Sequence, residues 1–195
     1  MDKENIFNGI YKSLNEITEI PKAEFNKFKD IFHFHNLRKE EYWLLSGEKE
    51  NRVGIIISGL IRMYYIGNNI EEYTKDFCKP GDFLAAYSSL LLNEPTELNI
   101  QAMVDSTILV APYEQYQRLS NTHSCWFNLN AKITEKLFLK KEKREKDFLL
   151  LSAKDRYLQF LSDYHKMDLQ IPQYQIASFL GISPVSLSRI KKTLN

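Results

Sequence analysis

Apolar residues near the start of the chain recur every three or four positions, which is the spacing of one helix face. Pro21 interrupts this pattern, because proline ends a helix and disfavours helical backbone before it. We therefore predict two helices within residues 3–35. Their apolar faces comprise Ile6, Ile10, Leu14 and Ile17 in the first, and Phe25, Phe28, Ile31 and Phe32 in the second.

From about Leu37 to Pro112 the pattern changes to short β-prone runs that are separated by turn residues. Many short strands at this spacing are typical of a sandwich, a jelly roll or a β-roll. The predicted turns lie at Gly47, Gly59, Asn68-Asn69, Pro80-Gly81 and Asp105-Ser106. The predicted strands are Tyr42–Leu45, Val53–Ser58, Leu60–Ile66, Glu71–Cys78, Asn99–Met103 and Thr107–Ala111.

A short helix is predicted at Tyr113–Leu119, and a much longer one from about Ser124 to Leu151. The long helix needs a partner for its apolar stripe, and either a second copy of the chain or its own roll could cover that stripe. We favour self-association, although Lys140–Asp147 is a charged interruption of the seam. The stripe residues of this candidate dimer helix are Trp126, Leu129, Ile133 and Leu137.

The segment Gln173–Leu194 has the order of residues that a helix-turn-helix requires. Ile176 and Leu180 lie four apart on one helix face, and Gly181 suits the left-handed turn that ends a helix. Ser183 offers a hydroxyl N-cap, and the proline after it falls at the first helical position, where proline is well tolerated. The pattern predicts two short helices around a tight turn.

The second helix of this pair has an exposed face suited to the DNA major groove. Residues 169–195 carry Arg189, Lys191 and Lys192 and no acidic residue, which favours a phosphate backbone as the partner. The alternative is an ordinary helical hairpin that closes a core. The candidate DNA-binding residues are Gln173, Tyr174, Ser183, Pro184, Val185, Ser186, Ser188, Arg189, Lys191 and Lys192.

Charge is distributed unevenly along the 195 residues, although the net charge is only +1. Residues 131–195 hold 13 Lys/Arg and 7 Asp/Glu, a net of +6, so the preceding part is 13 against 18, or −5. An acidic front and a basic back suggest that one end meets nucleic acid. No leader peptide or membrane-spanning run is evident, and Cys78 and Cys125 are too few for a disulfide framework. We expect a cytoplasmic protein with no membrane partner.

Four segments together resemble the Crp/Fnr family of bacterial transcription regulators: Ile57–Arg62, Phe77–Phe83, Gln101–Ser106 and Ile176–Leu194. The resemblance implies an α+β fold, with an N-terminal antiparallel β-roll or jelly roll, a long central dimerisation helix and a small C-terminal all-α helix-turn-helix domain. The implied domains are a sensor domain with N-terminal helices at 1–112, connecting and dimerisation helices at 113–151 and a DNA-binding domain at 152–195.

The resemblance also implies a homodimer that places two recognition helices in successive major grooves of double-stranded DNA. RNA polymerase is a further partner that the resemblance admits. The sequence contains no Gly-rich phosphate loop, nucleophile elbow or recognisable pair of catalytic carboxylates. We therefore expect a regulator that is not an enzyme and that needs no cofactor.

The candidate effector pocket departs from relatives that bind cyclic nucleotides. The position of their ribose-binding glutamate falls on Ala85 or Ala86, and that of their phosphate-binding arginine on Thr96 or Glu97. No Lys or Arg lies between positions 79 and 118, although a buried phosphate needs a cation or a row of donors. We predict no binding of cyclic AMP or GMP, and either a neutral or apolar effector or none. The candidate pocket residues are Phe83, Leu84, Ala85, Ala86, Tyr87, Ser88, Ser89 and Thr96.

The recognition helix also departs from many relatives, in which a base-reading glutamate stands at the position of Val185. Valine can pack on a thymine methyl but cannot accept a hydrogen bond from cytosine, so we expect a different target sequence. Arg189 is suited to a bidentate guanine contact. Ser186, Lys191 and Lys192 are better placed for phosphates.

Two alternative functions remain open from the sequence. His33, His35, Glu40 and Gly47 have a spacing that resembles the first metal-binding motif of cupins. Position 27 is Lys where that motif expects glycine, and the next histidine is His123, outside the candidate roll. The other alternative is a non-enzymatic interaction module whose basic tail binds nucleic acid weakly and without sequence preference.

Overall fold

The computed structural model describes residues 2–194 and contains two four-stranded antiparallel sheets that face each other as a roll. The first sheet has the order β1-β8-β3-β6, and the second has the order β2-β7-β4-β5. The predicted β-roll is thereby confirmed. The strands are β1 His33–Leu37, β2 Tyr42–Leu44, β3 Arg52–Ser58, β4 Ile61–Ile66, β5 Glu72–Cys78, β6 Phe83–Leu84, β7 Asn99–Ala102 and β8 Ser106–Pro112.

Eight α-helices surround the roll within the described residues. Two precede it, one interrupts it between β6 and β7, and five follow it. The predicted break at Pro21 and the predicted long helix are both present. The helices are α1 Lys3–Ile17, α2 Lys22–Ile31, α3 Tyr87–Leu92, α4 Tyr113–Leu119, α5 Ser124–Leu150, α6 Ala153–Asp163, α7 Gln173–Leu180 and α8 Pro184–Lys192.

Two strands were not predicted: the two-residue β6 and the longer β1. The helical stretch expected over 3–35 ends at Ile31, and His33–Leu37 forms β1 at the edge of the first sheet. Phe32 already has extended backbone at the helix C-cap, and His33 pairs with Val110 of β8. The pairing partner lies more than 70 residues away, so it leaves no local signal in the sequence.

The outer face of the first sheet is covered by α1, α2, α4 and the start of α5. Trp126 stacks on Phe28 with ring centroids 5.8 Å apart, and Leu129 is fully buried in the same core. The prediction that Trp126 and Leu129 lie on the dimer seam is therefore wrong. Their helical spacing correctly indicated a buried face, but the chain's own roll covers it.

The carboxylate of Glu24 joins three elements of this helical layer. It accepts hydrogen bonds from Lys27 Nζ at 2.6 Å, Thr122 Oγ1 at 2.6 Å and Trp126 Nε1 at 3.0 Å. These hydrogen bonds, led by the one from Lys27, lower the pKa of Glu24 from 4.5 to about 2. A charged acceptor thus fixes α2 against the turn that begins α5.

The C-terminal helices pack against the outer face of the second sheet. Leu60, Phe77 and Met103 of the roll share one buried cluster with Tyr157, Phe160 and Tyr164 of the α6 segment and with Ile176 and Leu180 of α7. Phe77 is fully buried, and its ring lies 5.5 Å from that of Phe179 and 6.2 Å from that of Phe160. Helices α6–α8 and the roll therefore share one core.

Hydrogen bonds fix α7 along β5, the edge strand of the second sheet. The backbone N–H of Thr74 donates to Ser178 Oγ at 2.8 Å, and Ser178 Oγ donates to the carbonyl of Glu72 at 2.8 Å. A single hydroxyl thus supplies both an acceptor and a donor to an open sheet edge.

Two arginines hold the C-terminal end of α7. Arg144 of α5 donates to the Phe179 carbonyl at 3.0 Å, and Arg156 of α6 donates to the Leu180 carbonyl at 3.2 Å. Terminal helix carbonyls lack intrahelical partners and carry partial negative charge, so guanidinium groups stabilise them. Both guanidinium groups also lie over the ring of Phe148, at 5.2 and 4.9 Å. The end of α5 is thereby tied to the turn between α7 and α8.

We predict that Ser178→Ala lowers the free energy of unfolding by about 1–3 kcal/mol, because the buried N–H of Thr74 loses its acceptor. The matched control is Ser188→Ala on the exposed face of α8, which should change it by less than about 0.5 kcal/mol. Urea denaturation of both variants measures the difference. Equal effects would contradict the role assigned to Ser178.

Candidate nucleic-acid interface and sensor roll

The turn between α7 and α8 has the geometry that the sequence predicts. Gly181 has φ = 66°, a left-handed conformation, and Ile182 N–H donates to the Ala177 carbonyl at 3.0 Å. A Cβ at Gly181 would lie 2.6 Å from Phe148 Cε1, so the glycine also permits close approach of α5. Ser183 caps α8 by accepting from the N–H of Ser186 at 3.1 Å, and proline occupies the first turn.

The buried side of the two helices follows the predicted stripes in most positions. Ile176, Leu180 and Leu187 are buried, and Ile190 is partly buried against the same core. The expected last member of the stripe, Leu194, is 38% exposed because α8 ends at Lys192. The buried side of α8 therefore faces the core, and its other side faces solvent.

The outward side of α8 is free and cationic. Arg189 and Lys192 are exposed, and within residues 2–194 neither forms a salt bridge. Val185 is 61% exposed and presents an apolar surface beside them. The other exposed members of the predicted set are Gln173, Tyr174, Ser183, Pro184 and Ser188.

Two of the predicted DNA-binding residues are only partly exposed because they hold the helix pair together. Lys191 Nζ donates to Gln173 Oε1 at 3.0 Å, which links the end of α8 to the start of α7. The hydroxyl of Ser186 lies 2.9 Å from that of Ser183 within the cap. The Lys191 ammonium keeps two further N–H donors for a phosphate, whereas the Ser186 hydroxyl would have to share its interaction with Ser183.

The predicted effector residues do not line one pocket. Leu84 and Ala86 point into the core of the roll, which is filled by apolar side chains such as Trp43 and Ile100. Phe83 instead packs outward, against the helical layer. Ser89 and Thr96 are buried, Ala85 is partly buried, and Tyr87 and Ser88 are exposed on α3. The prediction of a single pocket at 83–89 and 96 is therefore wrong, because alternate residues face opposite sides.

A buried carboxylate lies beside this segment and was missed from the sequence. Glu50 accepts from Trp43 Nε1 at 2.6 Å and from Arg52 Nε at 3.3 Å, and its backbone N–H donates to Ser89 Oγ at 3.0 Å. Arg52 also stacks on the Trp43 ring at 4.2 Å. The nearby guanidinium is thus already neutralised by Glu50, so it offers no unpaired charge to a phosphate.

The exposed apolar residues of α5 differ from the predicted seam. Phe127 is 68% and Phe138 is 65% exposed, and with Ala131 and Thr134 they line an open groove of about 490 Å³. Of the predicted seam, Ile133 is partly buried against the roll and Leu137 is 48% exposed. The exposed apolar face of α5 is therefore the one that carries Phe127 and Phe138, which lies around the helix axis from the predicted face.

The candidate metal ligands do not come together. His33 and His35 lie on β1, where the ring of His35 is 6.1 Å from that of Trp43, and Glu40 lies in the turn that follows. Across residues 2–194, no group of three or more His, Cys, Asp or Glu side chains could hold a metal ion. The cupin-like alternative has no support from this geometry.

Residues 34–123 match the family described as the cyclic nucleotide-binding domain. That region covers most of the roll together with α3 and α4. Comparison with curated protein sequences gives no significant match. Over the part of the chain that the structure describes, no helix has both the length and the apolar character to cross a bilayer.

Solved structures of transcription regulators share the fold over most of the chain. The c-di-GMP responsive global regulator CLP of Xanthomonas campestris is 15% identical with a TM-score of 0.70, over 89% of this chain and 91% of that one. FixK2 of Bradyrhizobium japonicum is 19% identical with a TM-score of 0.68, over 84% of each chain.

A regulator from Eubacterium rectale that is described as of the Crp/Fnr family has a TM-score of 0.71 at 17% identity, over 89% of this chain and 83% of that one. The resemblance predicted from the sequence motifs is thereby confirmed. Residues 34–123 match the cyclic nucleotide-binding domain family, and the chain has the fold of the Crp/Fnr regulators.

Proposed function

We propose that this chain is a homodimeric, sequence-specific DNA-binding transcription regulator that uses α8 as its recognition helix. The observation that carries the proposal is the free cationic face of α8, on a helix pair with a capped turn and a buried opposite side. The exposed face of an ordinary surface helix usually carries charges of both signs. In residues 169–194, by contrast, every charged side chain is a cation.

The exposed side chains divide into readers of bases and binders of phosphate. Arg189 reaches outward from the middle of α8 and suits the two acceptors of guanine. Val185, near the N-terminus of the helix, suits a thymine methyl group. Lys192 lies near the C-terminus of the helix, where a cation supports phosphate contact without reading sequence.

We predict that Arg189→Ala weakens binding to the selected operator by about 1–3 kcal/mol and relaxes preference at one position of each half-site. The operator is first selected from fragmented genomic DNA at physiological salt, and both proteins are then compared by fluorescence anisotropy. Arg118→Ala is the matched control, because Arg118 is exposed on α4 and pairs with Glu114. A uniform loss across all sequences would make Arg189 a phosphate contact instead.

The proposed regulator does not respond to cyclic AMP or cyclic GMP. The roll interior is filled by apolar side chains, and the segment between positions 79 and 118 contains no cation. The Arg52 guanidinium near this segment is already paired with Glu50, so it is not a free cation for a phosphate. Burying an unpaired phosphate there is strongly unfavourable.

We predict no heat of binding when either nucleotide is titrated into the full chain at concentrations up to about 1 mM, a range in which even weak specific sites bind. Isothermal titration calorimetry makes the measurement, and the thermal unfolding midpoint with and without nucleotide checks it. Micromolar affinity for either nucleotide would contradict the proposal.

The homodimer is proposed to form through the face of α5 that carries Phe127 and Phe138. Both rings are more than 60% exposed. The groove between them includes the small side chains of Ala131 and Thr134, which allow a second helix to approach, with Asn130 and Glu135 beside them. Two such helices packed together would place two α8 helices on one duplex.

We predict that Phe138→Glu converts the dimer to a monomer, because two like charges would meet at the seam. Sedimentation velocity at micromolar concentration measures the change. Leu169→Glu, at a side chain that is 86% exposed outside α5, is the matched control and should stay dimeric. If Phe138→Glu remained dimeric, the seam would lie elsewhere.

A further inference from the structure

A groove of about 390 Å³ lies outside the roll, between α1 and the strand β3. Gly81 and Phe83 contribute to its lining, and Phe83 packs on the outer side of the sheet, whereas Leu84 and Ala86 pack in the roll interior. Its volume falls in the range of small-molecule sites, which is about 300–1,000 Å³. None of the features that support DNA binding uses this groove.

The wall of the groove is almost entirely aliphatic. Its polar side chains are those of Asn5 and Ser13, both exposed on α1, and no charged side chain lines it. The apolar lining includes Ile6, Ile10, Leu14 and Ile17 of α1 and Ile57 of β3. Such a wall favours a neutral, chiefly aliphatic ligand, because a charged group would lose hydration there without gaining a partner.

Gly9 lines the groove at a position where glycine lowers the stability of α1. It lies in the middle of the helix, where glycine is among the least favourable residues. A Cβ built at Gly9 meets no atom within 4 Å, so close packing does not require the glycine, and its φ is not positive. The missing side chain leaves open space in the lining of the groove at this position.

The length of the groove suits a chain-like small molecule. The lining residues of α1 run from Asn5 to Ile17, or about 18 Å of helix axis. An extended aliphatic chain can follow this length and contact the aliphatic wall throughout.

We propose that the groove between α1 and β3 is a binding site for a neutral small molecule with an aliphatic chain, with Asn5 and Ser13 available to its polar group. Ile10 and Leu14 also belong to the core that holds Trp126 at the start of α5. The site therefore adjoins the helix whose far end is tied to α7.

The test uses the full chain and the neutral fluorophore N-phenyl-1-naphthylamine, with 1-decanol as the competitor. We expect saturable binding of one fluorophore per chain. The fluorophore should be displaced by 1-decanol, and at least about tenfold less well by decanoate, whose charge the wall cannot stabilise.

Gly9→Leu, which fills the groove, should weaken fluorophore binding at least about tenfold while raising the melting temperature. Gly9→Ala is the matched control; it removes the same glycine but little volume, and should bind within about twofold of the parent.

Three results would overturn the proposal. The first is a Gly9→Leu protein that binds the fluorophore as the parent does. The second is loss of binding in Phe138→Ser, which would place the fluorophore in the groove on α5. The third is binding that never saturates. If Gly9→Leu does not fold, Ile57→Trp fills the same space from the sheet side and should give the same loss of binding.

Discussion

The structure depends on covering both faces of the second sheet. Its inner face closes the roll, and its outer face presents Leu60, Phe77 and Met103, which are too apolar to remain in water. Helices α6 and α7 cover that face, and the edge-to-face and tilted ring contacts of Phe77 with Phe160 and Phe179 fix where they lie. The position of α8, which follows α7 across a tight turn, is therefore a consequence of how this sheet is buried.

The strands and the helix-turn-helix could be predicted from the sequence because local signals specify them. Gly181, Ser183 and Pro184 are residue types that favour a left-handed turn, an N-cap and a first helical turn, respectively. The structure places all three in those positions. Six of the eight roll strands were recognised in the same way, since glycine and Pro-Gly turns lie between them.

What the sequence did not reveal depends on contacts between distant residues. The periodicity around Trp126 and Leu129 indicated burial, but periodicity says nothing about which surface does the covering. Ser178 appeared as one more polar residue on α7, because its two partners lie on β5 more than 100 residues earlier. The candidate pocket failed for a related reason, since the chain alternates sides at Phe83 and Leu84 and divides the predicted residues between two faces.

The end of α5 joins the proposed dimer seam to α7 and to the turn that precedes α8. Phe138 lies on the exposed side of α5, while Arg144 and Phe148, one to three turns further along, contact the Phe179 carbonyl and the turn at Gly181. A helix transmits rotation about its axis along its length, because its backbone hydrogen bonds resist unwinding. Rotation of α5 at the seam would therefore either carry α7 with it or break the hydrogen bonds of Arg144. Because Ser178 also fixes α7 to β5, such a rotation would strain the edge of the roll as well. The roll, the proposed seam and the proposed recognition helix are therefore mechanically coupled.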